Sequence, residues 1–144
     1  MRTDPFLKHL RALCRALPGT QETTTFGHPT FRAGTKTYAV LDRYHGAPCL
    51  AFKLELLEQE VLLRDRRFFA APYGARHGWT CLSLLGRMRW KEVEYLLLRS
   101  YRLVAPRRSV AELDRRQAIH RRRTGRPARD GVVTSAARSP SRQR

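Results

Sequence analysis

The chain has 144 residues, 42% of them hydrophobic, and 29 Lys and Arg against 12 Asp and Glu, a formal net charge of +17. That length suits one domain with a modest core, and the apolar fraction is too high for a wholly disordered chain. No apolar run approaches the roughly 18 residues of a membrane span, and Met1-Arg2-Thr3-Asp4-Pro5 lacks a signal-peptide pattern, so a cytoplasmic chain with no membrane role is expected.

Asp4 and Pro5 supply an N-cap and a first helical residue. Phe6, Leu7, Leu10, Leu13, Cys14 and Leu17 follow at helical spacing until Pro18-Gly19. Thr20 to Thr25 reads as a connector or an edge strand. After the turn signal Phe26-Gly27-His28-Pro29, Thr30 to Arg32, Lys36 to Asp42 and Cys49 to Leu54 read as three strands of an antiparallel meander. In the middle strand, alternation places Tyr38 and Val40 on one face and Thr37, Ala39 and Leu41 on the other. Glu55 to Arg64 reads as a short amphipathic helix using Leu56, Leu57, Glu60, Val61 and Leu63. The segment Arg66 to Gly74 reads as irregular, and Trp79 to Leu85 as a fourth strand. Trp90 to Val104 carries the strongest helical pattern, with Val93, Leu96, Leu97, Ser100, Tyr101 and Val104 on one face, ended by Pro106.

Beyond Pro106 the apolar pattern decays. Ser109 and Glu112 form a capping-box pair, so Ser109 to Arg123 reads as a short basic helix with only Val110, Leu113, Ala118 and Ile119 to bury. Thr124 to Arg144 reads as a disordered basic tail. The division is thus a domain over 1–108 and an Arg-rich tail over 109–144. Residues 106–144 hold 12 basic and 3 acidic side chains, a net of +9, about half the excess on about a quarter of the chain. Only Lys8, Lys36, Lys53 and Lys91 are lysine. Arginine pairs phosphate with a two-pronged fork, although a GC-rich genome produces the same preference without function.

Catalytic and metal signals are sparse. Cys14, Cys49 and Cys81 are odd in number and form no CxxC pair, which excludes a zinc ribbon or a thioredoxin-type site and suits buried thiols in a reducing compartment. No two of the five histidines have metal-ligand spacing. His28 and His77 are conceivable general bases, but no sequence pattern gives either a partner, so turn histidines are the simpler reading. No enzyme activity, cofactor or metal is expected. The cationic segments say more. Arg76-His77-Gly78-Trp79 and Arg87-Met88-Arg89-Trp90-Lys91 flank the fourth strand at opposite ends, and Arg beside Trp can pair a phosphate and stack on a base. For either tryptophan alone, a core aromatic with its arginines solvated is the simpler reading. Arg32, Lys36 and Lys53 are secondary candidates along the meander, as likewise consistent with a solvated sheet face.

The pieces Leu17-Pro18-Gly19-Thr20, Phe26-Gly27-His28-Pro29-Thr30-Phe31-Arg32 and Lys36-Thr37-Tyr38-Ala39 resemble the opening of the MmcQ/YjbR family. Arg67 to Trp79 resembles its central signature, and Trp90-Lys91-Glu92-Val93-Glu94 with Tyr101 to Arg107 resembles its last helix and closing edge. The match runs over about residues 5–108. The resemblance implies an α+β fold of frataxin-like topology, with helices packed on one face of an antiparallel sheet. It also implies a DNA-binding protein with no catalytic residues, and it leaves the extension past Arg108 uncovered. An iron-binding role would need a dense acidic face, whereas Glu55, Glu58, Glu60, Asp65, Glu92 and Glu94 are interleaved with basic residues.

The expected partner is therefore nucleic acid, DNA before RNA, held by Arg76, His77, Trp79, Arg87, Arg89, Lys91, Arg107 and Arg108. The alternative is a non-enzymatic protein–protein adaptor using the aromatic loop 66–79, marked by an exposed patch of Phe68, Phe69, Tyr73 and Trp79.

Overall fold

The structure, a computed structural model, describes residues 4–124. The expected disordered tail therefore lies outside the described residues apart from Thr124. In chain order the elements are α1 (Asp4–Arg15), β1 (Thr20–Thr25), β2 (His28–Ala33), β3 (Lys36–Tyr44), β4 (Ala47–Lys53), α2 (Leu56–Leu62), β5 (Phe68–Ala70), a 3-10 turn (Ala75–His77), β6 (Trp79–Ser83), α3 (Trp90–Val104) and α4 (Arg107–Thr124). The strands form one antiparallel sheet in the order β1-β2-β3-β4-β6-β5. This is the α+β architecture expected from the sequence.

Six strands replace the meander and fourth strand read from the sequence. Thr20–Thr25 is an edge strand, paired with β2 from Thr20↔Ala33 to Thr25↔His28. Within the segment read as irregular, Phe68–Ala70 pairs with β6, Phe68 opposite Leu82. Three residues before Pro72 and Gly74 are too few to show a period of two, so their strand character comes from the partner.

The main core lies between one sheet face and the helices. Phe6, Leu10 and Cys14 of α1 and Val93, Leu96, Leu97 and Tyr101 of α3 pack on Phe31, Ala39, Leu41, Leu50, Phe52, Phe68 and Leu82. The opposite face carries a smaller cluster, Cys49, Ala51 and Cys81, ringed by Val40, Tyr44, Phe69, Ala71 and Trp79. All three thiols are free and buried. Burial pushes the Cys14 thiol up to about 12. The Cys49 thiol, hydrogen-bonded to Cys81 and desolvated, is also raised.

Simple alternation fails at Tyr38, which is buried in the main core together with Ala39 and Leu41, while Val40 packs on the opposite face. The reason is a β-bulge: Phe31 pairs with Ala39 and Arg32 with Thr37, so Tyr38 has no partner on β2. The Ser100 hydroxyl on α3 donates to the Tyr38 carbonyl at 2.6 Å and accepts from the Lys53 backbone N–H at 2.9 Å. The Tyr38 ring meets Tyr101 edge-on at 5.4 Å. The Tyr101 hydroxyl donates to the Pro18 carbonyl at 2.6 Å.

The short helix α2 reverses the expected amphipathicity. Leu56, Leu57, Val61 and Leu63 are exposed, Leu57 by 79%, and the buried residue is Gln59. The Gln59 side-chain amide donates to the carbonyls of Ala75 and Trp79. Those acceptors on the 3-10 turn and β6 outweigh the aliphatic side chains in choosing the buried face.

The helix read as starting at Ser109 begins at Arg107, because the Pro106 carbonyl accepts from the N–H groups of Ser109 and Val110. Leu113 is buried in the main core and Val110 packs against it, whereas Ile119 is exposed. Arg102 to Asp114, and Arg116 to the Ala16 carbonyl, fasten α4 across the ends of α3 and α1.

Two substitutions test this packing. Leu97→Ala should lower stability by about 2–5 kcal/mol in urea unfolding, since Leu97 is fully enclosed between α3 and the sheet. Ser100→Ala should cost about 1–3 kcal/mol, because it leaves the buried Tyr38 carbonyl and Lys53 N–H without a partner. A change within error for either variant would contradict the arrangement.

Candidate nucleic-acid interface

The sheet register sorts the cationic candidates into two groups. At one end, the Lys36 end, lie the Gly34-Thr35 turn, the close of β4 at Lys53 and the start of β6 at Trp79, which pairs with Lys53. The 3-10 turn with Arg76 and His77 adjoins Trp79. Pro106 reaches the same end: a Cβ on Gly34 would meet its ring at 2.9 Å. Arg32, Lys36, Lys53, Arg76, His77, Arg107 and Arg108 therefore gather at the Lys36 end. At the other, the Phe26 end, lie the β1–β2 turn, the β3–β4 turn and the loop from Ser83 to Arg89. Arg87, Arg89 and Lys91 belong here, separated from Arg76 by the length of β6, roughly 17 Å for five residues.

Glycine sets the shape of the Lys36 end. Gly78 has φ +96°, and a Cβ there would come within 1.9 Å of the Leu54 carbonyl oxygen. The Gly78 carbonyl accepts from the Leu54 N–H at 3.0 Å. Only glycine allows this approach, which starts β6 and turns Arg76 and His77 to solvent, where both are exposed. Trp79 is half-buried, its ring over Gly74 and against the smaller cluster. Arg32 is half-buried and donates to the Thr35 carbonyl at 3.2 Å. Lys36, Arg107 and Arg108 are exposed and Lys53 is half-buried.

The Phe26 end is organised by ion pairs. Arg67 bridges two carboxylates, Asp65 at 2.8 Å and Glu92 at 2.6 Å, and so ties the approach to β5 to the first turn of α3. Hydrogen bonds from the Arg67 side chain and N–H hold the Asp65 carboxyl down at about 2, with Arg89 adding a weaker pull. His28 Nε2 stands 3.3 Å from Asp42. That carboxylate partner was invisible in the sequence because it comes from the neighbouring strand. With these acids engaged, Arg87, Arg89 and Lys91 remain exposed, and none makes an ion pair among the described residues. Trp90, between Arg89 and Lys91, is not a free stacking platform. Its ring lies on His9 at 3.7 Å and on Phe6 at 4.8 Å.

The aromatic loop does not form the exposed patch an adaptor was expected to show. Phe68 is buried, Phe69 stacks on Tyr44 at 5.7 Å, and Trp79 is half-buried, which leaves Tyr73, 90% exposed. The shallow cleft between α1, α3 and α4 is lined by Ala12, Leu13, Leu17, Leu97, Leu98 and Leu113, with Glu94 and Gln117 as its polar edge. Among the described residues no group of three or more His, Cys, Asp and Glu is placed to hold a metal ion, and no helix is long and apolar enough to cross a membrane.

The YjbR family model matches residues 15–103, and the chain belongs to the YjbR family. Two solved structures share the fold. One, a Deinococcus radiodurans protein with a DUF419 domain, superposes with a TM-score of 0.63 at 23% identity, covering 75% of this chain and 87% of that one. The other, from Pseudomonas syringae, has a TM-score of 0.60 at 17% identity, covering 72% of this chain and 99% of that one. No curated protein matches.

The double ion pair at Arg67 gives a direct test. Arg67→Gln should return the Asp65 carboxyl toward the ordinary value near 4, as followed by NMR titration. In the parent protein this carboxyl is depressed on folding. Its stabilising contribution is therefore complete above about pH 4 and disappears as the pH falls through about 2. An Asp65 titration that is ordinary in the parent protein would show that the pair is not formed in solution.

Proposed function

We infer that this YjbR-family protein binds nucleic acid without catalysing a reaction, and that duplex DNA is its ligand. The observation that carries the reading is the surplus of unpaired arginine. Asp42, Asp65 and Glu92 at the Phe26 end each have a basic partner, while Arg87, Arg89 and Lys91 stay exposed beside them. The last turn of α4 adds Arg121, Arg122 and Arg123, all exposed. A field of this sign draws phosphate, and arginine engages it with two parallel hydrogen bonds. The Lys36 end supplies a second set of cations in Arg76, Arg107 and Arg108. The two sets stand roughly 17 Å apart, about five base pairs of duplex, and the Phe26 end alone joins its cations to an exposed aromatic tip.

The segment 125–144 holds five arginines and one aspartate and supplies sequence-independent affinity. Each phosphate neutralised contributes about −0.9 to the slope of log K against log salt. Deleting 125–144 leaves α4 and its core contact at Leu113 in place. It should flatten that slope by roughly three to four units and lower affinity evenly on two unrelated duplexes. Replacing Arg87, Arg89 and Lys91 together by Gln should flatten it by a further two to three units. Equal slopes for the parent and the shortened chain would refute the role of the segment. Slopes unaffected by the triple replacement would refute the role of the Phe26 end.

A further inference from the structure

Among the described residues, two that are not glycine have a positive φ: Phe26 at +50° and His45 at +52°. Each is the first central residue of a two-residue hairpin turn, followed by Gly27 at +80° and Gly46 at +78°. This mirror-image turn matches the twist of the strands it joins, and it favours Asn, Asp or Gly at the first position. A phenylalanine there is disfavoured by its own backbone. Its ring gains nothing from the fold in return, because Phe26 is 95% exposed. Polar side chains would suit both the turn and the solvent better.

The surroundings indicate what the ring meets. Phe26 stands alone at a hairpin tip, flanked by Thr25 and Gly27, and is not part of a broad apolar patch. The His45-Gly46 tip lies two strands away, roughly 10 Å at the spacing of a sheet. Exposed Arg43 leads into that tip and donates to the Gly46 carbonyl. The loop with Arg87 and Arg89 is roughly 17 Å from the Phe26 tip, beyond β4. An exposed apolar ring on the edge hairpin, with cations on the tip and loop to one side of it, is the chemistry of a side chain that enters a groove and wedges between stacked bases while arginines hold phosphates further along the duplex.

We propose that Phe26 is a wedge residue, inserted from the minor groove into a flexible pyrimidine–purine step of duplex DNA, with Arg43 and the Arg87–Arg89 loop positioned on the phosphates beside it. This rests on the nucleic-acid reading above. It adds the contact that unstacks and bends the duplex, and it accounts for a bulky residue kept in a turn that disfavours it. The energy of unstacking depends on the step, so the wedge brings a preference for deformable sequences without base-edge hydrogen bonds.

The test uses the full chain and Phe26→Asn, a variant that keeps the turn geometry. Duplexes carry 2-aminopurine next to a central TA step. The parent protein should raise the 2-aminopurine fluorescence several-fold and bend the duplex, as measured by end-to-end energy transfer. Phe26→Asn should lose both signals and bind about tenfold more weakly, with an unchanged salt slope because the phosphate contacts remain. Its melting temperature should rise by roughly 3 °C as the backbone strain is relieved. Tyr73→Asn, which removes an exposed ring elsewhere, should behave as the parent. Retention of the fluorescence rise in Phe26→Asn, or its loss in Tyr73→Asn, would overturn the wedge, and so would a lower melting temperature for Phe26→Asn. Phe26-dependent binding to anionic phospholipid vesicles with no unstacking of DNA would overturn it in favour of a membrane surface. Duplex binding by the parent with no fluorescence change would defeat the wedge alone, whereas no duplex binding at all would defeat the underlying reading as well.

Discussion

The β-bulge at Tyr38 leaves one carbonyl of the sheet interior without a strand partner, and the Ser100 hydroxyl fills that gap while also accepting from the Lys53 N–H. One side chain thus satisfies a buried carbonyl and a half-buried N–H on adjacent strands, each of which would otherwise destabilise the fold. The next residue, Tyr101, packs edge-on against the bulged Tyr38 and reaches the Pro18 carbonyl at the corner between α1 and β1. The contact fixes α3 to β3, β4 and the α1 corner at once. Pro106 then lies on the Gly34 turn and α4 starts beside Gly19, where a Cβ would stand 3.1 Å from the Ser109 hydroxyl.

This placement of α3 decides which cations share a surface. Its C-terminal end brings Arg107 and Arg108 to the Lys36 end, and its N-terminal end presents Arg89 and Lys91 beside the hairpin tips. Arg67 secures the second arrangement by holding Glu92, in the first turn of α3, to Asp65 ahead of β5. Asp65 and Glu92 thereby serve the fold, while Arg87 and Arg89 face solvent. The two ends differ in kind. The Lys36 end is built around the close approach of Gly78 to Leu54, whereas the Phe26 end consists of tips with strained, exposed residues.

Much of the architecture was legible in the sequence because it depends on local periodicity. Trp90–Val104 declares its buried stripe through Val93, Leu97 and Tyr101, and Pro106 marks its end. Features that depend on distant partners were not legible. The Tyr38 bulge shifts the alternation by one residue and follows from the pairing of Phe31 with Ala39. The buried Gln59 is explained by carbonyls sixteen and twenty residues away. The Asp42 partner of His28 comes from the adjacent strand. The candidate interface was half legible: arginine-rich segments can be counted in the sequence, but their division between two ends follows from the register. In the sequence Phe26 belongs only to a turn signal, since exposure and the sign of φ cannot be seen in a string of letters.

The central functional claim is that nucleic acid meets the Phe26 end. The most direct measurement is an NMR titration of the isotope-labelled chain with a duplex containing a TA step, following each backbone amide. Binding at the Phe26 end should shift one contiguous set of resonances over Thr25–His28, His45–Gly46 and Leu85–Lys91 and leave Lys36, Lys53, Arg76 and His77 unmoved. Shifts confined to Lys36, Lys53, Arg76 and His77, with Phe26 unaffected, would contradict it.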